Sequence, residues 1–264
     1  MIWFNIISFH IILLLLPAAA LAAVYDPILA QIKPGTITII GETHKKVESV
    51  QLFENLALAV IQNRQCVVIG LEIASDQQAA LDAVMQTRAA VDGIALWPAV
   101  DHPPYRRMIE HFAEHKRQGQ CIKVIAIDSA MSNTIDRDLW MALSLVEHAG
   151  NTPVLVLLGA LHTLKRVDWL NTTGRASVAE LLTRWGYRVK SYPQRWLSDN
   201  CANGDMQKGR FVKAESPQAL AMLNDSLMSL INAKPHHSAA EVVDGFVVWE
   251  CDSLSRDNLP HFSR

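Results

Sequence analysis

Short apolar runs alternate with longer amphipathic segments through most of the chain. Runs of five to eight residues predict buried β-strands, and the segments between them carry apolar residues at helical spacing. The predicted strands are Thr36–Ile40, Cys66–Ile73, Ile122–Asp128, Pro153–Leu158 and Arg188–Tyr192. The predicted helices are Val47–Gln62, a segment from Ser75 or Asp76 to Met85, Tyr105–Lys116, Thr134–Ala149 and Ser177–Trp185. This alternation predicts an α/β fold, with a mostly parallel sheet and helices on both faces.

Two regions depart from the alternation. The segment Gln86–Pro104 is rich in proline and is predicted to be an irregular insertion that could form a lid. The C-terminal tail is less regular, with a predicted helix near Pro217–Ile231 and a final strand within Val242–Trp249. Half of the 264 residues are apolar, which is enough for one substantial core, and no domain boundary is visible. We therefore expect residues 24–264 to form a single domain.

Ionisable side chains follow three of the predicted strands. Glu42 and His44 follow the first strand, Glu72 lies near the end of the second, and His162 follows Gly159 after the fourth. Open parallel sheets bind ligands outside the carboxyl ends of their strands, so these four side chains are predicted to form one catalytic site. Glu42 and His44 are two residues apart and point to the same side of an extended chain.

Two carboxylates and two imidazoles support two kinds of chemistry. They are a suitable ligand set for zinc, manganese or a similar divalent ion. Asp128, at the end of a further strand, is a fifth candidate ligand, a supporting partner, or a cap for the segment that follows. Without a metal, one group can act as general base on water and another as acid.

Three further parts of the sequence carry candidate chemistry: one dipeptide, one tyrosine and one histidine motif. Arg137 could bind a substrate carboxylate or a propionate, whereas Asp138 is interpreted as structural, because aspartate is favoured near a helix N-terminus. Tyr105 could be an axial haem ligand, although its helical spacing favours the core. His111-Phe-Ala-Glu-His115 matches a metallopeptidase pattern, but the basic residues around it favour a solvated face.

The N-terminus predicts export. The first 23 residues contain no Lys, Arg, Asp or Glu, and the apolar run Ile11–Leu16 is followed by an alanine-rich segment. This is the pattern of a signal peptide over residues 1–23, cleaved after Ala22 or Ala23. A periplasmic or secreted location is expected, with a retained N-terminal membrane anchor as the minor alternative, because a basic start is missing.

Net charge and the absence of certain motifs exclude some classes of partner and enzyme. The formal net charge is −2, with mixed signs along the chain, so no nucleic-acid partner is expected. No glycine-rich phosphate loop and no Gly-x-Ser-x-Gly elbow occurs, which disfavours nucleotide enzymes and serine hydrolases.

Cys66 and Cys121 each open a predicted strand and could pair at the amino-terminal edge of the sheet. The alternative is that these two, with Cys201 and Cys251, are separate buried thiols.

Four motifs together resemble the superfamily of ChaN-type haem-binding proteins, erythromycin-esterase-like enzymes and Tiki/TraB-type proteins. The motifs are Gly41-Glu42-Thr43-His44, Glu72 with Ser75–Leu81, Arg137-Asp138 with Met141-Ala142, and Gly159-Ala160-Leu161-His162. They span Thr36 to His162, and the stretch Asp76–Leu81 is most similar to the ChaN branch. The tail after Arg195 matches no pattern of the superfamily.

The resemblance implies a Rossmann-like core with the Glu/His cluster at the strand ends. Tiki-like members use the matching positions for metal-dependent peptide cleavage, esterase-like members activate water, and ChaN-like members are associated with haem. Our first hypothesis is an exported ester or amide hydrolase acting on a small molecule or peptide. The alternative is a haem- or iron-binding uptake protein without turnover, with Tyr105 or a histidine as axial ligand, Arg137 on a propionate, and a homodimer enclosing the cofactor.

Overall fold

The computed structural model of the protein describes residues 18–63, 65–171, 174–197 and 207–251. Seven strands in these residues form one open sheet in the order β3-β2-β4-β1-β5-β7-β6. They are β1 (Thr36–Glu42), β2 (Val67–Ala74), β3 (Ile122–Asp128), β4 (Val154–Gly159), β5 (Arg188–Trp196), β6 (Gln207–Lys213) and β7 (Gly245–Cys251). All pairings are parallel except that of β6 with β7. The predicted α/β fold with a mostly parallel sheet is confirmed.

Helices cover both faces of the sheet. They are α1 (Ala18–Leu29), α2 (Val47–Gln62), α3 (Gln78–Gln86), α4 (Pro103–Arg117), α5 (Arg137–Val146), α6 (Val178–Arg184) and α7 (Pro217–Met222). The apolar stripes of α1 to α4 pack on one face, where Phe53 and Phe112 meet edge to face. Met141 of α5 and Leu182 of α6 pack on the other face. A third cluster joins the C-terminal segments to β7.

The sheet order brings the carboxyl ends of three strands together. β4 lies between β1 and β2, and β1, β2 and β4 are buried along their whole length. Burial on both faces explains their continuous apolar runs. In the register, Glu42 of β1 is paired with Gly159 of β4, and Leu71 of β2 with Leu157 of β4. The residues that end these strands therefore share one edge of the sheet.

Some predicted boundaries were wrong. The helix predicted from Thr134 begins at Arg137, because the side chain of Asp136 accepts a hydrogen bond from Leu139 N at 3.1 Å and caps it. Ser75 and Asp76 do not cap α3; they lie in a 3₁₀ turn that precedes it.

The C-terminal tail contains a strand that the sequence did not reveal. β6 is an edge strand, and its exposed Lys208 and its Arg210 interrupt the apolar pattern by which strands are found. The helix predicted over Pro217–Ile231 is an α-helix to Met222 and then a π-helical turn, Leu223–Met228. The predicted final strand is confirmed as β7.

The insertion after α3 is held against the core. Arg106 Nε and Nη2 donate to the two carboxylate oxygens of Asp101 at 2.7 and 2.9 Å, and Arg106 Nη1 donates to Val91 O at 3.0 Å. Leu96 and Trp97 pack on the hydrophobic cluster beneath. None of the large apolar side chains that are exposed among the described residues lies in this insertion, so it does not provide an exposed apolar surface on which haem could pack.

One predicted disulfide is confirmed. Cys66 and Cys121 are bonded, with their Cα atoms 4.6 Å apart, beside the amino ends of β2 and β3. Cys251 is also disulfide-bonded, whereas Cys201 lies outside the described residues. Most of the predicted signal peptide also lies outside them, and the predicted cleavage positions fall within α1. No helix in the described part of the chain is long and apolar enough to cross a membrane.

Replacing both Cys66 and Cys121 by serine is expected to lower the free energy of unfolding by about 2–4 kcal/mol. The bond closes a long loop, because the two cysteines are 55 positions apart, and therefore restricts the unfolded chain. Urea unfolding without reductant, which leaves the disulfide of Cys251 intact, measures the effect. An unchanged unfolding midpoint would contradict this role.

Candidate active site

The site is built on the adjoining ends of β1, β2 and β4. Glu42 is the last residue of β1, and Glu72 lies two residues before the end of β2. Gly159 ends β4, and its backbone N–H donates to Glu72 Oε2 at 2.8 Å. Both carboxylates are almost completely buried. Strand pairing therefore fixes the backbone beneath two buried acidic groups.

Glu42 and His44 form a carboxylate–imidazole pair. His44 Nδ1 lies 2.7 Å from Glu42 Oε1, and the His44 side chain is 38% exposed. Burial raises the pKa of Glu42, and the hydrogen bond that His44 donates to Glu42 raises the pKa of His44. Because a carboxylate accepts at Nδ1, Nε2 is left as the reactive nitrogen of His44. The other oxygen of Glu42, Oε2, is buried and has no hydrogen-bond partner among the described residues.

Arg137 links two buried carboxylates. Its Nε and Nη2 donate to the two oxygens of Asp128 at 2.8 Å each, and Nη2 also donates to Glu72 Oε1. Asp128 is fully buried, and the Arg137 side chain is 45% exposed. These carboxylates, Asp128 first, raise the pKa of Arg137, which therefore stays charged. The remaining nitrogen, Nη1, lies 3.5 Å from His162 Nε2.

His162 and Asp138 form a second carboxylate–imidazole pair. His162 Nδ1 lies 2.5 Å from Asp138 Oδ1, which also accepts from Val178 N at 3.2 Å. Burial lowers the pKa of His162, but the hydrogen bond and charge of Asp138 outweigh it, so the net shift is upward. Asp138 was interpreted as structural from sequence, yet it orients an imidazole of the site. Its position directly after Arg137, in one of the motifs on which the sequence resemblance rests, was the available signal.

Gly159 lies between the two imidazoles. A Cβ atom at this position would be 3.4 Å from His44 Nε2 and 3.6 Å from His162 Cδ2. The absent side chain therefore leaves a small space that both rings border. This is where a reacting atom can approach His44 Nε2.

The structure brings together three of the five predicted metal ligands. Glu42, His44 and Glu72 each offer a ligand atom, and these atoms lie within 4.8 Å of one another. His162 is nearby but is paired with Asp138, and both oxygens of Asp128 accept from Arg137. Asp128 therefore supports Arg137 in this structure and is not part of the three-residue group.

A divalent ion fits this group chemically. Carboxylate oxygens and an imidazole nitrogen are zinc ligands, and three protein ligands leave a fourth position open for water or substrate. The unpartnered Glu42 Oε2 is a buried acceptor that a cation would satisfy. Glu72 would have to share its oxygens with Arg137 and with the N–H of Gly159.

Tyr105 lies in the core, as its helical spacing suggested. It is fully buried in the first turn of α4 and is packed in the cluster that contains Phe53 and Phe112. In this conformation its hydroxyl cannot reach a ligand on the outer surface. His111 lies away from the site on the exposed side of α4, where its Nδ1 is 2.5 Å from Glu54 Oε1.

Fold and site together define an open α/β protein with two carboxylate–imidazole pairs and one arginine at its strand ends. No family model matches the sequence, and no curated protein matches it. Solved structures do match in fold. ChaN of Campylobacter jejuni, described with cofacial haem binding, is 12% identical with a TM-score of 0.51, over 85% of this chain and 91% of its own.

Two further structures share the fold. The erythromycin esterase EreC in its open conformation is 11% identical with a TM-score of 0.53, over 84% of this chain and 91% of its own. A protein from Bacillus cereus is 11% identical with a TM-score of 0.62, over 84% and 89%. The chain therefore shares the fold of ChaN and of this erythromycin esterase, as the sequence motifs implied.

Replacing Arg137 by methionine is expected to lower the free energy of unfolding by about 2–3 kcal/mol at pH 8. The change leaves Asp128 and Glu72 buried without their counter-charge, and partial exposure of Arg137 keeps the loss below that of a fully buried pair. Unpaired buried carboxylates take up protons more readily, so the loss should shrink as the pH falls towards 5. Urea unfolding at both pH values measures it.

Arg175→Met is the matched control, because Arg175 pairs with Asp136 at an exposed position. Its effect should be much smaller and nearly independent of pH. Equal effects of the two substitutions would show that Arg137 has no special role in stabilising the buried carboxylates.

Proposed function

We propose that the protein is an exported hydrolase that cleaves an ester or amide bond in a small molecule or peptide. The observation that carries this proposal is the pair of carboxylate-oriented imidazoles, Glu42–His44 and Asp138–His162, on either side of Gly159. A carboxylate that holds Nδ1 fixes the ring and leaves Nε2 to accept a proton, which is the arrangement of a general base.

In the proposed reaction, His44 Nε2 takes a proton from water, and the water oxygen bonds to the substrate carbonyl carbon. The carbonyl oxygen becomes negatively charged and is stabilised by Arg137 Nη1 and by protonated His162, which lie together at the edge of the site. The bond to the leaving oxygen or nitrogen then breaks, and the proton on His44 passes to that atom. The products are a carboxylic acid and an alcohol or amine.

A metal-assisted version uses the same residues. Glu42, His44 and Glu72 would hold a divalent ion, which would supply polarisation of the water or the carbonyl. The proposed roles of Arg137 and His162 do not change. Metal analysis of the purified protein, followed by chelation during an activity assay, separates the two versions.

Export is part of the proposal. Its support is the uncharged, apolar N-terminus and the disulfide between Cys66 and Cys121, because such bonds persist in oxidising compartments. Secretion of a tagged full-length chain, with its N-terminus sequenced, tests both export and the cleavage position.

Replacing His44 by alanine is expected to reduce a hydrolytic rate found in an ester and peptide screen by about 10²–10⁴-fold, the usual contribution of a general base. His111→Ala is the matched control, because His111 is also paired with a glutamate but lies outside the site. His44 acts as a base when neutral, so the rate should rise with pH through its raised pKa, above 6.5. Retained activity in His44→Ala would refute this role.

Haem or iron binding is the second candidate. Met131, Ile135 and Leu161 expose apolar side chains in the segments that follow β3 and β4, beside the site. Because Tyr105 is buried, His44 is the better axial ligand, and Arg137 Nη1 could meet a propionate of haem enclosed in a homodimer.

Titration of residues 24–264 with haemin, followed at the Soret band, decides between the candidates. The hydrolase proposal expects no saturable, stoichiometric shift. A saturable shift that His44→Ala abolishes would favour the binding function, and molecular mass with and without haemin would test the dimer.

A further inference from the structure

β3 ends the sheet on one side, since the described residues contain no strand beyond it. Val67 N of β2 donates to Cys121 O at 3.0 Å, so the odd-numbered residues of this segment bond to β2. The even-numbered residues, among them Val124 and Ala126, therefore direct their backbone N–H and C=O groups towards the free edge. A free edge of this kind is a template for pairing with another chain.

The side chain of Gln78 occupies part of this edge. Its Oε1 accepts from Ala126 N at 2.7 Å, and its Nε2 donates to Val124 O at 3.2 Å. In a parallel sheet, one residue of a neighbouring strand makes this same pair of bonds. Gln78 Nε2 also donates to Asp82 Oδ1 at 3.0 Å, which fixes the orientation of the amide. The Gln78 amide therefore takes the place of one residue of an eighth strand.

Lys116 of α4 covers the next carbonyl along the edge, because its Nζ donates to Ile122 O at 2.8 Å. Beside these contacts lies an open groove of about 560 Å³, lined by Ile125 and Ala126 of β3 and by Trp140 of α5, among others. Helices α3 and α5 therefore flank the edge and leave space beside it. Side chains, and not a layer of backbone, occupy the edge.

The two edges of the sheet differ in composition. β6, the opposite edge, carries basic side chains that disfavour pairing with another chain, Lys208 and Arg210 among them. β3 is apolar from Ile122 to Ile127 apart from the exposed Lys123. An apolar strand of high β-propensity is prone to pair with identical strands when its edge is open.

We propose that Gln78 blocks the free edge of β3 against pairing with β3 of a second copy of this chain. An incoming strand needs the Ala126 N–H and the Val124 C=O, and the Gln78 amide is bonded to both. The barred partner is a second copy, because a twofold pairing of two β3 edges covers both of them at once. Among the described residues, Gln78 bonds to Asp82 and β3 and not to the candidate active site, so this inference is independent of the proposed function.

Hydrogen exchange of the Ala126 amide tests the contact in the wild-type protein. The bond to Gln78 is expected to slow this exchange, and Gln78→Ala at low protein concentration is expected to speed it by roughly 2- to 10-fold. Gln77→Ala is the matched control, because Gln77 Oε1 accepts from Ala95 N of the insertion at 3.0 Å and not from β3. Exchange of the wild-type Ala126 amide at the rate of an unprotected amide would overturn the proposal.

Light scattering over a range of protein concentrations tests the blocking role. Gln78→Ala is expected to exceed the mass of the wild type as the concentration rises, with the Ala126 amide protected again in the associated form. Gln77→Ala should keep the mass of the wild type. A Gln78→Ala protein that keeps the mass of the wild type would overturn the proposal, as would association that leaves the Ala126 amide unprotected. If Gln78→Ala does not fold, Gln78→Met keeps the side-chain length without the hydrogen bonds, and the same outcomes apply.

Discussion

Arg137 donates to both oxygens of Asp128 and to Glu72 from one side of its guanidinium. Without this cation, Glu42, Glu72 and Asp128 would place three buried carboxylates at one edge of the sheet with no fixed positive charge bonded to any of them. Arginine suits the position, because its planar fork matches a carboxylate and it does not lose its proton. The same contacts orient Nη1 towards His162. Arg137 therefore supplies the counter-charge at the acidic edge of the sheet and also forms part of the site.

The sheet supplies the second constraint. Parallel pairing of β1 with β4 places Glu42 opposite Gly159, and β2 on the other side of β4 places Glu72 within reach of the Gly159 N–H. A side chain at this position would fill the space that His44 and His162 border. The site therefore depends on long-range strand order, whereas its chemistry depends on short loops that follow each strand. This division is common in open α/β sheets.

The sequence predicted most elements of the fold because buried parallel strands are continuous apolar runs. The helix over Val47–Gln62 and the strand over Ile122–Asp128 were predicted to the residue. β6 was missed, because an edge strand with basic side chains lacks that pattern. Capping of α5 by Asp136 and the π-helical turn after Met222 depend on local hydrogen bonds that periodicity does not encode. The predicted sheet topology alone was enough to place four side chains at one edge of the sheet: Glu42, His44, Glu72 and His162.

Pairings within the site were harder to predict than its location. Asp138 follows Arg137 directly, and the sequence offers no means of telling which of them faces His162 and which faces Asp128. That choice is set by the capped start of α5, which turns successive side chains about 100° apart around the helix.

The buried carboxyl group of Glu42 lowers the stability of the fold on which the site depends. Burial raises its pKa above the usual 4.5 despite the hydrogen bond with His44, so the folded chain binds this proton more tightly than the unfolded chain does. Its contribution to stability therefore declines as the pH rises from 4.5 through the raised pKa, and at neutral pH it is unfavourable. A neutral side chain of similar size would avoid this cost. Glu42 is buried at a cost to stability, and one of its oxygens is bonded to an imidazole. A chemical role explains this arrangement better than a structural role does.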